Sequence, residues 1–108
     1  MHHSEGEATF ALHCKIEKLS PIAQYQFDPD RKWRADFCFL AEKLLVEIEG
    51  GVWLGKTGGH TSGKGMEANM EKYNQATLLG FKLLRFSTQA VKSGKAIEMT
   101  KLVLADIK

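Results

Sequence analysis

The chain has 108 residues, of which 44% are apolar and 26% charged, which is typical of a soluble globular protein. A chain of this length can bury roughly two-thirds of its unfolded surface, so one domain spanning residues 1–108 is expected. No apolar run approaches the roughly 20 residues of a membrane helix, and the N-terminus lacks the apolar centre of a signal peptide. The formal charge is only +2, so composition alone does not indicate a polyanionic partner.

The first half of the chain predicts one helix and then three strands. Ser4 and Glu7 form a capping-box pattern, apolar residues at helical spacing continue the helix to about Leu19, and Ser20-Pro21 ends it. A polar turn separates the first two predicted strands, and Ala41-Glu42 form a two-residue turn before the third. The predicted strands are Ile22–Phe27, Trp33–Ala41 and Leu44–Glu49.

The second half predicts a long loop, a helix, a fourth strand and a final helix. In order these are the loop Gly50–Gly65, the helix Met66–Leu79 with Gly80 as its stop, the strand Phe81–Phe86 and a helix from Gly94 onward; Ser87–Ser93 is either a short helix or a loop. Met70, Tyr73 and Thr77 are expected on the core-facing side of the first of these helices. A helix that joins two strands implies parallel pairing through a right-handed connection. The sequence therefore predicts an α/β fold in which a small mixed sheet is flanked by helices.

Three carboxylates are concentrated at the predicted hairpin. Glu47 and Glu49 lie two residues apart in one strand, so their side chains share a face of the sheet. The two-residue turn would place Asp36 of the preceding strand opposite Glu47 on that face. Like charges this close repel, and burying either is costly unless a cation neutralises it. We therefore expect the three acids to converge and to bind a divalent cation.

A basic, glycine-rich loop follows this acidic strand. From Gly50 to Met66 there is no acid, whereas Lys56, His60 and Lys64 occur beside seven of the ten glycines. A basic loop next to an acidic cluster suits a polyanionic substrate that is held by metal. Cys14 and Cys38 lack the spacing of metal ligands and are predicted to be buried free thiols in a reducing cytosol.

The spacing of Asp36 and Glu47-Ile48-Glu49 after a hairpin resembles the PD-(D/E)xK signature of the restriction-endonuclease-like superfamily, and the predicted order contains that superfamily's αβββαβ core. The segment from Glu47 to Trp53, followed by Gly59-His60, is similar to small phage and bacterial endonucleases related to the Vsr-type and domain-of-unknown-function group. Glu71-Lys72-Tyr73-Asn74 and the Leu84-Arg85-Phe86 strand fit the same group. The resemblance covers nearly the whole chain.

The resemblance implies an endodeoxyribonuclease that hydrolyses phosphodiester bonds with Mg²⁺, for which Mn²⁺ would substitute. Asp36, Glu47 and the carbonyl of Ile48 would bind the metal, and Glu7 would reach its water shell. Glu49 replaces the usual lysine of the motif and would bind a second metal or orient the water. Lys72 on the following helix is the substitute for that lysine.

The other candidate residues would hold DNA. His60 would protonate the leaving oxygen or grip a phosphate, and Lys56 and Lys64 would contact the backbone. Trp53 would stack on a base or wedge the duplex or, alternatively, anchor the sheet. Arg85 would contact phosphate or pair with an acid. Less specific interpretations are an exposed Lys72, and a Glu47 that faces solvent on an edge strand while Asp36 pairs with Arg34 or Lys43.

We therefore predict a metal-dependent DNA endonuclease of a bacterial or phage-infected cytoplasm, acting by nicking or by structure-directed cleavage. Cutting both strands is expected to need a homodimer, since so small a chain covers little DNA. The alternatives are a non-catalytic DNA-binding module on a degenerate nuclease fold and a structural subunit without a nucleic-acid role. DNA cleavage, salt-dependent binding without cleavage, and neither would distinguish the three.

Overall fold

The computed structural model describes residues 4–49 and 63–107. Within them four strands form one sheet in the order β1-β2-β3-β4, with β1–β2 and β2–β3 antiparallel and β3–β4 parallel. This mixed sheet with flanking helices confirms the predicted fold class. The elements are α1 (Glu5–Ile16), β1 (Ile22–Tyr25), β2 (Ala35–Phe39), β3 (Leu44–Glu49), α2 (Gly63–Leu78), β4 (Lys82–Ser87), α3 (Thr88–Lys92) and α4 (Lys95–Ile107).

The β2–β3 hairpin has the predicted register. The N–H of Lys43 donates to the carbonyl of Leu40 at 3.1 Å and closes the turn at Ala41 and Glu42. Phe37 then lies opposite Val46, which brings the preceding residue of β2 beside Glu47. The bounds of β3 are also as predicted, because its apolar run and the turn before it are local features of the sequence.

β3 is a central strand whose alternate residues enter two different cores. Leu44, Val46 and Ile48 pack in the larger core, to which α1, α3 and α4 contribute. Leu45 lies on the other face, in a smaller core that α2 covers through Ala76. Because side chains alternate along a strand, Glu47 and Glu49 face the α2 side with Leu45. The two acids therefore project between the sheet and α2.

Several element ends differ from the sequence prediction. α1 stops at Ile16, because Lys18 has a φ of 62° and the Leu19 N–H turns back to the Cys14 carbonyl at 2.8 Å. α2 starts three residues before Met66, and its residues 65–71 are all exposed, so Met70 does not face the core as predicted. The ambiguous stretch after β4 is the short helix α3.

Both cysteines are buried and free, as predicted. Cys14 belongs to the larger core and Cys38 to the smaller one on the opposite face of the sheet. Burial raises the pKa of Cys14 to about 12 and that of Cys38 to about 11, so both remain protonated at neutral pH. In the described part of the chain, no helix is both long and apolar enough to span a bilayer.

Candidate active site

Asp36 and Glu47, which we call the acidic pair, link β2 and β3 beyond the last regular residue pair of the hairpin. The N–H of Asp36 donates to Glu47 Oε2 at 3.3 Å, and the N–H of Ile48 donates to Asp36 Oδ2 at 2.7 Å. Each strand thus uses a backbone donor to hold the carboxylate of the other strand. Backbone hydrogen bonds to a carboxylate fix its position and favour its charged form.

Glu47 is a buried acid beside a lysine. It is only 8% exposed, and its Oε2 lies 3.2 Å from Lys72 Nζ on α2. Burial raises the pKa of Glu47 above its usual value, the Lys72 ammonium opposes this rise, and the nearby Asp36 charge adds to it. The two less specific interpretations are therefore wrong for these residues: Glu47 faces neither solvent nor an edge, and the Lys72 side chain is only 15% exposed.

Tyr73 bridges the two glutamates of β3, a role that the sequence prediction missed by placing it on the core side of α2. Its hydroxyl lies 3.5 Å from Glu47 Oε1 and 3.4 Å from Glu49 Oε2. Burial and both negative charges raise the pKa of Tyr73, so the phenol remains a hydrogen-bond donor at neutral pH. Its place directly after Lys72 was the available signal, because neighbouring helix positions can both reach one polar site.

Glu49 is paired with Arg85, one of the two alternatives for that arginine. Arg85 Nε donates to Glu49 Oε2, and the guanidinium carbon lies 4.4 Å from the centre of the Tyr73 ring. The hydrogen bond to Glu49 is the main cause that raises the pKa of Arg85. Glu49 is thereby held toward β4, whereas Asp36 is held by the backbone of β3.

The expectation that three acids converge on one cation is not met. Within residues 4–49 and 63–107, no three histidine, cysteine, aspartate or glutamate side chains are grouped so that they could hold a metal ion. The reason is the pairing of Glu49 with Arg85 and Tyr73. The acidic pair is what remains of the predicted cluster.

Gln24 of β1 flanks the acidic pair from the other side, which sequence reasoning did not foresee. Its neighbours Ala23 and Tyr25 pair with Phe37 and Ala35, so Gln24 lies across from Asp36. Its Nε2 is 3.5 Å from Asp36 Oδ1, and its φ of 51° lies in the left-handed region that glycine favours. A strained backbone persists only where the surrounding structure imposes it. No pattern in the sequence indicates the strain at Gln24.

The first turn of α1 lies against β3 on the opposite face from Lys72. The Ser4 hydroxyl accepts the Glu7 N–H at 3.0 Å, as the capping pattern predicted. A Cβ at Gly6 would approach Ile48 Cγ2 to 2.7 Å, so this contact requires glycine. The metal role of Glu7 and of the Ile48 carbonyl stays a prediction.

Of the predicted DNA-contacting residues, only Arg85 has a side chain in the described part of the chain. Trp53, Lys56 and His60 lie outside the described residues. Lys64 has its backbone in the first turn of α2, and its side chain is likewise outside the described part of the chain.

The structure brings five of the predicted site residues into one connected set of contacts, which also includes Tyr73: Asp36, Glu47, Glu49, Lys72 and Arg85.

Comparison with known proteins identifies one similar fold. No family model matches the sequence, and no curated protein matches it significantly. Among solved structures, the chain is similar to the catalytic domain of the homing endonuclease I-Bth0305I, with a TM-score of 0.72 over 97% of this chain and 98% of that domain. The two sequences are 13% identical, so the likeness shows the fold. This chain therefore shares the fold of that domain.

Proposed function

We propose that this protein is a metal-dependent DNA endonuclease of the PD-(D/E)xK type, with the acidic pair at its catalytic centre. The observation that carries the proposal is the contact of buried Glu47 with Lys72, beside Asp36. Buried acids whose pKa is perturbed by specific charged neighbours are concentrated at functional sites. Similarity to a homing endonuclease catalytic domain supports nucleic acid as the substrate class.

The acidic pair fits a small divalent cation chemically. Mg²⁺ prefers oxygen ligands and needs few protein carboxylates, and Mn²⁺ accepts the same donors. Asp36 and Glu47, with the Ile48 carbonyl, would hold the ion; Glu7 would contact its water shell, and a role of Glu49 would require release from Arg85. Such an ion would relieve the repulsion that helps to raise the pKa of Glu47. When bound, it makes water a better nucleophile and stabilises charge on the phosphate.

Lys72 and Tyr73 give this site its positive charge and its neutral donor. In phosphodiester hydrolysis, water adds to phosphorus and gives up a proton to solvent, the bond to the leaving oxygen breaks, and that oxygen takes up a proton. The Lys72 ammonium would stabilise the charge that grows on the phosphate, in place of the motif lysine. Tyr73, whose raised pKa keeps its hydroxyl protonated, would donate a hydrogen bond to Glu47 or Glu49. His60 would protonate the leaving oxygen.

The substrate side of the proposal concerns duplex or branched DNA. Trp53, Lys56, His60 and Lys64 would contact it, mainly through phosphates, and a phosphate contact of Arg85 would require its release from Glu49. One centre cuts one strand, so nicking or structure-directed cleavage is proposed for a single copy, and a homodimer for cutting both strands.

The test is cleavage of supercoiled plasmid with Mg²⁺, with Mn²⁺ and with EDTA. The wild type should nick the plasmid only with metal, and Asp36→Asn and Glu47→Gln should each lower the rate at least about 100-fold. Glu98→Gln is the matched control, because Glu98 is an exposed acid paired with Lys101 on α4. Thermal unfolding of each variant verifies that the fold persists.

Inactivity of the wild type on plasmid and on branched DNA would contradict the proposal. Retained salt-dependent DNA binding in that case would identify the non-catalytic binding module instead. The specific feature that favours this alternative is the replacement of the motif lysine by Glu49, whose carboxylate Arg85 neutralises. Cleavage that survives Glu47→Gln would place the catalytic centre elsewhere.

A further inference from the structure

The turn between β1 and β2 carries a group of cations that the proposed chemistry does not use. Arg31, Lys32 and Arg34, which we call the basic turn, are all exposed. Arg31 pairs with Glu71 of α2 at 3.0 Å. Among the described residues, no ion pair or hydrogen bond engages the side chains of Lys32 and Arg34. Two cations are therefore available to an external ligand.

The backbone that presents these cations is well fixed. Asp28 is buried, and its carboxylate accepts the Asp30 N–H at 2.9 Å while its carbonyl accepts the Arg31 N–H at 3.2 Å. The Gln26 amide donates to the carbonyl of Arg31 at 2.7 Å. This network is typical of an Asx turn that closes on itself. A fixed turn loses little conformational entropy when it binds a ligand.

Arg31 is held by contacts with Glu71 and Trp33 within the protein. Its guanidinium carbon lies 3.7 Å from the centre of the Trp33 ring, and that ring stacks on buried Phe27 at a centroid distance of 6.3 Å. Stacking on an aromatic face together with a carboxylate contact accounts for both sides of the Arg31 guanidinium. Lys32 and Arg34 flank this anchor and make no comparable contact with any residue that the structure describes.

The basic turn adjoins the acidic pair through two connections. Arg34 is two residues before Asp36, so their Cα atoms are at most about 7 Å apart. The Arg31–Glu71 pair ties the turn to α2, and the residue after Glu71 is Lys72, which contacts Glu47. Since α2 covers the sheet face on which Glu47 lies, the turn and the acidic pair belong to one side of the molecule.

We infer that the basic turn is a second nucleic-acid contact, in which Lys32 and Arg34 bind backbone phosphates that flank the phosphate to be cut. The inference rests on the proposed function and extends it from the catalytic centre to the way DNA is held. Asp30, exposed on the same turn, opposes an anionic ligand with one negative charge, but the two positive charges of Lys32 and Arg34 outweigh it and favour a ligand with several negative charges. Duplex DNA offers such charges at regular spacing.

The experiment measures DNA affinity apart from cleavage. All variants are made on Glu47→Gln, and binding of a fluorescent duplex is followed by anisotropy in EDTA at several salt concentrations. The double variant Lys32→Ala/Arg34→Ala should bind about tenfold more weakly, and its plot of log affinity against log salt should flatten by about 2. The control Lys15→Ala/Lys95→Ala removes the same charge from exposed positions on α1 and α4, on the other face of the sheet, and should change the slope much less.

Each outcome decides the inference. If the basic-turn variant equals the control in affinity and slope while the wild type cleaves DNA with metal, the inference is wrong and the proposed function stands. If the wild type neither binds nor cleaves DNA, both are overturned. Should Lys32→Ala/Arg34→Ala melt below its parent, the single variants Lys32→Gln and Arg34→Gln replace it, each with an expected flattening of about 1.

Discussion

The six residues of β3 alternate between two faces of the sheet that have different purposes. Leu44, Val46 and Ile48 are all buried in the larger core, where only shape and apolar area matter. On the other face Leu45 is followed by Glu47 and Glu49, which meet Lys72, Tyr73 and Arg85 in place of apolar partners. Stability and the proposed chemistry therefore depend on alternate residues of a single strand. Substitutions one residue apart should therefore have different consequences.

The largest effect on stability is expected on the apolar face. Leu44 is fully buried, so Leu44→Ala removes apolar contact and leaves a cavity that costs about 2–5 kcal/mol of unfolding free energy. Urea titration followed by circular dichroism would measure this loss. A loss below about 1 kcal/mol would mean that the larger core does not depend on the apolar face of β3.

On the polar face, Lys72→Met should cost about 1–3 kcal/mol at neutral pH, because it leaves the buried Glu47 carboxylate without its cation. The same substitution should cost much less near pH 4, where Glu47 becomes protonated and needs no cation. Urea titrations at both pH values would measure the two losses. A loss that is equal at the two pH values would show that the ion pair does not stabilise this face. Lys101→Met is the matched control, since Lys101 pairs with acids at the surface.

The apolar face and the register of the hairpin could be predicted from the sequence, because they depend on alternation and on a two-residue turn. These are short-range features, and they placed Asp36 beside Glu47 correctly. Resemblance, and not periodicity, selected Lys72 as the substitute for the motif lysine, but its contact with Glu47 was not itself predicted. Helical spacing indicates which residues of α2 turn toward the sheet, without indicating what they meet there.

The details of the polar face could not be predicted, because they depend on long-range pairing. Tyr73 was expected in the core, yet it meets two carboxylates because β3 presents them on the face that α2 covers. The predicted convergence of three acids failed because β4, which is parallel to β3, brings Arg85 within reach of Glu49. A pattern of residues along one strand does not reveal the cation on the next.

The pH dependence of stability provides a finer test of the polar face. The pKa of Glu47 is higher in the folded protein than in the unfolded chain, so folding takes up a proton between the two values. The contribution of Glu47 to stability is therefore greatest below the unfolded pKa of about 4.3 and declines as the pH rises through the folded pKa. Glu47→Gln should lack this decline, so its stability should improve relative to wild type as the pH increases.

Unfolding titrations of both proteins between pH 4 and pH 8 would measure this difference. A gap that stays constant over the range would contradict the raised pKa. A gap of the opposite sign would mean that hydrogen bonds from Lys72 and the Asp36 backbone stabilise the charged form more than burial penalises it. Glu98→Gln, at an exposed position, is expected to leave the profile unchanged.

The smallest expected effect concerns Gln24, whose strained backbone lies in the strand beside Asp36. Because φ is 51°, glycine fits this position better, so Gln24→Gly should leave stability unchanged or raise it by up to about 1 kcal/mol. Cleavage should nevertheless decrease, since Asp36 loses the amide that lies 3.5 Å from its Oδ1.

Ala23→Gly is the matched control, because Ala23 is an exposed neighbour in β1 that is not among the residues with positive φ. Glycine at such a position should lower stability by about 0.5–1 kcal/mol and leave cleavage intact. The two variants should thus change stability in different directions and activity in only one case. If Gln24→Gly is as destabilising as Ala23→Gly, the strain at Gln24 is not real. If it instead retains full activity, the strain exists but does not serve Asp36.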